Sequence, residues 1–200
     1  MLESDRNMRD IDIRRELRRK VSRQYGADPD TLVIEELGLC QGVVRVDLAV
    51  INGSIHGYEI KSEHDTLDRL PGQSQVYNRV LDYVTIIASP THAEKVAQLV
   101  PEWWGVSIAL PIKGGVILKA ERQPSRNAST DPFAFAQLLW RNEALEVLTA
   151  LGLADGMRSK PRDLLWKRLA DELGPRRLGK IVRQRLKDRA TYWRAPLPQP

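Results

Sequence analysis

The feature that most narrows the fold of this chain is a hairpin whose register can be worked out from the residues alone. Residues 43–51 (VVRVDLAVI) and 56–62 (HGYEIKS) alternate as strands do, and Asn52-Gly53-Ser54 lies between them. In the first strand Val44, Val46, Leu48 and Val50 share one face, and Arg45, Asp47, Ala49 and Ile51 the other. In the second, Tyr58 and Ile60 share a face opposite Glu59 and Lys61. A two-residue loop at Asn52-Gly53 sets Val46 against Glu59 and Asp47 against Tyr58, mixing charge into both faces. A three-residue loop pairs Ile51 with Ile55 and gathers the apolar residues on one side. That register sets Asp47 across from Glu59, Cβ atoms about 5 Å apart, and Arg45 across from Lys61.

Two carboxylates so close repel each other, and one is driven towards its neutral form unless a positive charge intervenes. A divalent cation removes the conflict. Asp47 and Glu59 would then be oxygen ligands, the Ile60 backbone carbonyl another, and Mg²⁺ or Mn²⁺ would complete its shell with water and a phosphate oxygen. Lys61 would orient the attacking water or stabilise charge growing on phosphorus. The same three residues also fit a plain solvated strand face, with Asp47 and Lys61 as a cross-strand ion pair. Gln73 and Tyr77, four apart, lie on one helix face just after the second strand. Pro71 suits the first turn of that helix and Asp68 its N-cap. The glutamine could bond the attacking water or a phosphate oxygen. The tyrosine could donate to a phosphate, stack on a base, or simply pack beside Val76, Val80 and Leu81.

Aspartate, then Glu-x-Lys, then Gln-x-x-x-Tyr resembles the PD-(D/E)XK nuclease superfamily, and the last motif is similar to that of RecB-like exonucleases. The run RVDLAVINGSIHGYEIKSEHDTLDRLPGQ with VPEWWG resembles a family of small bacterial proteins of that superfamily. The likeness covers about residues 30–110, and the proline often found before the aspartate is Val46 here. It implies an α/β fold with a restriction-endonuclease-like core, metal-dependent cleavage of nucleic acid leaving a 5′-phosphate, and Asp47, Glu59, Lys61, Gln73 and Tyr77 as the catalytic set. Relatives often add an upstream acid to the metal shell, here Glu36 in preference to Glu35.

The remaining pattern is compatible with that core. A first helix over 5–24 carries the stripe Ile13, Leu17, Val21 among arginines that could lie along a phosphate backbone or form a solvated face with Glu16 pairing to Lys20. Residues 83–88 (YVTIIA) suit a central strand buried on both faces, residues 91–99 a helix, and 104–110 and 116–120 further strands. Trp103 and Trp104 beside a strand start read as core or rim packing before base stacking. The element order is helix, strand, hairpin, helix, strand, helix, strand, with a βαβ crossover in its second half.

Residues 123–131 are linker-like, and three helices follow over 133–151, 161–173 and 175–193, the last two loosely resembling a helix-turn-helix. The final six residues suit a disordered tail. The chain thus divides into a core (1–125) and a basic helical region (126–200). The first 125 residues hold 16 Lys+Arg against 18 Asp+Glu, net −2; the rest hold 15 against 8, net +7. That asymmetry points to nucleic acid, DNA ahead of RNA, with Arg45, Arg69, Arg176, Arg177, Lys180 and Arg183 as phosphate contacts. The absence of a long apolar run argues against a membrane span, and the lone Cys40 suits a reducing cytoplasm. A homodimer is left open. Two other readings stand beside the nuclease: a nucleic-acid-binding regulator without turnover, and a module that docks on an acidic protein.

Overall fold

The computed structural model describes residues 9–194. The expected helix start at residue 5 and the expected tail over 195–200 fall outside them. Helix α1 (Asp10–Tyr25) is followed by strands β1 (Leu32–Leu39), β2 (Val44–Ile51) and β3 (Ile55–Lys61). Helix α2 (Leu70–Val80), strand β4 (Tyr83–Ala88), helix α3 (Pro90–Leu99) and strands β5 (Gly105–Ile112) and β6 (Gly115–Arg122) complete the sheet region. Among the described residues four helices follow: α4 (Pro132–Ala136), α5 (Arg141–Ala150), α6 (Arg162–Glu172) and α7 (Pro175–Arg194). The six strands form one mixed sheet in sequence order. β3, β4 and β5 run parallel, so α2 and α3 are two crossovers, and the other neighbours are antiparallel.

Both faces of the sheet are covered. Ile13, Leu17 and Val21 of α1 meet Leu48, Val50, Tyr58, Ile60 and Ile87 on one face. The other face is covered by α2, α3 and the C-terminal helices, which share one core with Ala49, Ile51, Val84 and Ile86. β4 is buried on both sides, as its apolar run predicts. The hairpin has the predicted three-residue loop, with Ile51 paired to Ile55. The expectation that its apolar residues gather on one side is corrected: Ala49 and Ile51, expected beside Asp47 on a polar face, are buried under the second helical layer. An alternation pattern cannot distinguish a solvated face from one that distant helices will cover.

The alternation also slips. Val46 and Ala49 lie on the same face of β2, and on β1 the residues facing that core pass from Ile34 to Leu37. The slip falls at Glu36 and Asp47, the position missing from an otherwise regular β1–β2 ladder. Glu36 there has φ 54°, in the left-handed region. The β2–β3 ladder stops at Leu48 and Tyr58, so the predicted rungs Asp47–Glu59 and Arg45–Lys61 do not form.

Two further expectations change. The helix expected over 133–151 is two helices. Asp131 caps α4, accepting from the N–H groups of Phe133 and Ala134, and the break before α5 lets Phe135, Leu138, Leu139 and Ala144 all reach the core. Burial of four side chains outweighs an unbroken hydrogen-bond ladder. On α2 the N-cap is Arg69 rather than Asp68, and no side chain caps the helix.

Gly57 faces Leu81 and Val46 so closely that an added Cβ would lie 2.5 Å from Leu81 Cδ1 and 3.1 Å from Val46 Cγ2. Gly57→Ala should destabilise the fold by about 1–3 kcal/mol in urea unfolding. His56 stacks on Tyr58 (ring centroids 4.2 Å apart), and its Nε2 lies 2.9 Å from Thr85 Oγ1. Burial, aided by the charge of Lys20, lowers its pKa from 6.5 to about 4. The depressed folded value means stability is full above about pH 6.5 and is lost as pH falls towards 4, by up to about 3 kcal/mol. Denaturant midpoints measured against pH should show this slope in the wild type and a flatter one in His56→Gln.

Candidate active site

The slip and the early end of the β2–β3 ladder leave Asp47 with no rung partner, and its carboxylate works instead as a joint between elements. Its Oδ2 accepts from the Ile60 N–H at 2.7 Å, closing the gap between β2 and β3. Its Oδ1 accepts from Arg14 Nη2 of α1 at 2.7 Å. Arg14 also bonds the Asp47 carbonyl (3.3 Å), Glu36 Oε1 (3.3 Å) and Asp10 Oδ2 (3.2 Å). Burial works against the guanidinium's charge, but the bonds to Asp10 and Asp47 outweigh it and hold its pKa above the usual arginine value. Asp47 therefore pairs with Arg14, and the alternative ion pair with Lys61 is absent.

Glu59 is 2% exposed and every oxygen is engaged. Oε1 accepts from Lys61 Nζ at 2.8 Å and Gln73 Nε2 at 2.7 Å. Lys61 Nζ also donates to Gln73 Oε1 at 3.1 Å, closing a triangle of lysine, glutamine and carboxylate. The Tyr77 hydroxyl lies 2.6 Å from Glu59 Oε2 and 2.8 Å from the Arg45 carbonyl oxygen. A phenol has one proton and serves one of these acceptors at a time. Burial pushes the Glu59 carboxyl above its ordinary range and the charge of Asp47 pushes it further, while Lys61 pulls it back.

Asp47, Glu59, Ile60, Lys61, Gln73, Glu36 and Arg14 line one cleft of about 770 Å³, and so do Arg45 and Arg69. The predicted catalytic residues thus converge, but Tyr77 is fully buried and stacks on Trp104 (centroids 5.8 Å apart), so its expected contact with a phosphate or base is corrected. It positions Glu59. Gln73 likewise spends both ends of its amide on Glu59 and Lys61. Trp104 is core, as expected. Glu36 reaches the cleft, whereas Glu35 pairs with Arg18 outside it. Glu16 pairs with Arg19 and Arg23 instead of Lys20.

The local pattern puts Arg14 among the arginines around the apolar stripe of α1, whereas the structure brings Arg14 and Asp10 into the cleft. The available signal was position: Asp10 lies seven residues before Leu17, on the same helix face as the apolar stripe, with Arg14 one turn further on. Among the described residues no group of three or more His, Cys, Asp and Glu is disposed to hold a metal ion. The basic residues of α7 are placed elsewhere. Arg176, Arg177 and Lys180 are exposed, while Arg183 is largely buried, 3.5 Å from Asp82.

The sequence pattern of a family described as Bacteriophage P4 protein cII matches residues 9–196. The chain is 28% identical over 124 residues to protein cII of Enterobacteria phage P4; the match spans 62% of this chain and 47% of that protein, so the chain covers about half of the relative's length. A solved structure of a protein of unknown function from Silicibacter pomeroyi aligns over 99% of this chain and all of its own, at 16% identity and a TM-score of 0.39.

The buried network makes a stability prediction independent of any activity. Tyr77→Phe should cost about 1–3 kcal/mol, because a buried acceptor loses its donor. Urea unfolding followed by tryptophan fluorescence would measure it.

Proposed function

We propose that this chain, which belongs to the bacteriophage P4 protein cII family, is a nuclease that hydrolyses phosphodiester bonds of nucleic acid, DNA in preference, in the cleft at the end of β3. The supporting observation is the convergence of Asp47, Glu59, Lys61 and Gln73, from β2, β3 and α2, on one cleft, where Lys61 and Gln73 both bond Glu59 and Asp47 bonds the neighbouring Ile60 N–H. The mixed sheet with antiparallel β1–β3, parallel β3–β5 and flanking helices accords with a restriction-endonuclease-like core, and the motif order with the PD-(D/E)XK pattern.

The donor set suits Mg²⁺ or Mn²⁺. Asp47 and Glu59 would hold the ion, with the Ile60 carbonyl and Glu36 as further oxygen donors, a carboxylate-poor shell of the kind Mg²⁺ completes with water. When bound, such an ion supplies Lewis-acid stabilisation and an acidified water. Lys61, held by Glu59 and Gln73, keeps an ammonium beside the cleft where phosphate oxygens gain charge. Tyr77 and Gln73 fix Glu59 in one orientation. Arg45 and Arg69 in the cleft lining, and Arg176, Arg177 and Lys180 on α7, offer phosphate contacts on the first 125 residues and on the basic region respectively. Arg183 serves Asp82 first. No helix of the described residues is long and apolar enough to cross a membrane, and the reading places the protein in the cytoplasm.

One observation favours a second reading, a nucleic-acid-binding regulator without turnover. Asp47 and Glu59 are already hydrogen-bonded at both oxygens, with Arg14 on Asp47 and Lys61 on Glu59, so a cation would have to share these carboxylates with positive charges already in place. Cleavage of single- and double-stranded DNA and RNA with Mn²⁺ decides between them. The nuclease reading expects cutting that stops on chelation and falls by roughly a hundredfold or more in Lys61→Ala. Near-wild-type cutting by that variant would sink the assignment. Binding that survives chelation, with no cutting under any metal, would establish the regulator.

A further inference from the structure

We propose that Arg14 is a built-in counter-ion that stands at Asp47 in place of a cation and turns to a phosphate oxygen when a cation arrives. The inference rests on the nuclease reading and adds a residue that no motif contains. Arg14 reaches Asp47 Oδ1 at 2.7 Å and the Asp47 carbonyl at 3.3 Å, and its Nη1 and Nε bond Glu36 at 3.3 Å and Asp10 at 3.2 Å. Three carboxylates therefore share one guanidinium in the cleft. The Arg14 side chain is 15% exposed, yet it lines the cleft.

Two physical facts convert this arrangement into a device. A guanidinium does not deprotonate in proteins, so Arg14 can leave Asp47 only by moving. Its helix need not move with it, because α1 is anchored through Ile13, Leu17 and Val21, and the arginine side chain has several rotatable bonds. With a cation held by Asp47, the Arg14 guanidinium would be repelled and its neutralising role there would be taken over. The fork then faces a cleft open to a phosphodiester, whose two non-bridging oxygens match its geometry. Cation and nucleic acid consequently bind with positive coupling, each favouring the state in which Arg14 has left Asp47.

The test is calorimetric titration of Mn²⁺ into wild type, Arg14→Gln and Arg14→Lys, with cleavage measured at saturating Mn²⁺. Removing the resident counter-ion should tighten Mn²⁺ binding by roughly ten- to hundredfold. The same change should slow cleavage by roughly a hundredfold, because the phosphate contact is lost. Arg14→Lys, a point charge without the fork, should fall between in both, and it carries the test should the glutamine variant not fold. A folded variant that binds Mn²⁺ no more tightly than a wild type that binds and cuts overturns the role of Arg14 alone. If neither wild type nor variants bind Mn²⁺ while all are folded, the metal reading itself falls, and this inference with it.

Discussion

Much of this structure depends on one carboxylate standing where a strand pairing fails. Asp47 occupies the point at which β1 and β2 slip out of alternation and β2 parts from β3. A backbone N–H left unpaired inside a protein costs about 1–3 kcal/mol, and Asp47 Oδ2 takes that of Ile60. The other oxygen reaches Arg14, tying α1 to the sheet at the same spot. The slip also turns Val46 into the larger core beside Gly57, where space exists only because that residue has no side chain. The cleft opens where the strands part, so the irregularity and the candidate site have one cause.

The second carboxylate is governed by burial. Glu59 is withdrawn from water, so its charge is tolerable only with several donors close by, and Lys61, Gln73 and Tyr77 supply them from β3 and α2. Lys61 is 4% exposed, its ammonium held between carboxylate and amide. Breaking one member of such a group strands the others, which makes the network rigid. The tyrosine shows how closely site and core are joined: its ring stacks on Trp104 while its hydroxyl faces Glu59. Packing and polar positioning are one function of one side chain.

The hairpin loop, the apolar stripe of α1, the buried strand β4 and the helix bearing Gln73 and Tyr77 were legible because each rests on a local period or turn signal. The convergence of Asp47, Glu59, Lys61 and Gln73 was legible because three of them lie on one hairpin and the fourth one turn into the next helix. Arg14 was not, since its partner lies thirty-three residues away on a strand whose local geometry breaks the alternation used to orient it. The division of 133–151 into α4 and α5 was likewise hidden, since the core that breaks it is assembled from α2, α6 and α7 as well.

What the sequence by itself determined is most of the elements, the loop of the β2–β3 hairpin and the convergence of Asp47, Glu59, Lys61 and Gln73, because side-chain period and short-range turn chemistry decide these within a few residues. Only the tertiary structure decided which faces of the sheet are dry, how Asp47 is oriented and which positive charge meets it. Those depend on a helix from the N-terminus crossing one face and helices from the C-terminus covering the other. Burial and charge pairing are properties of three-dimensional neighbourhoods, and no local pattern of apolar and polar residues records which distant surface will arrive.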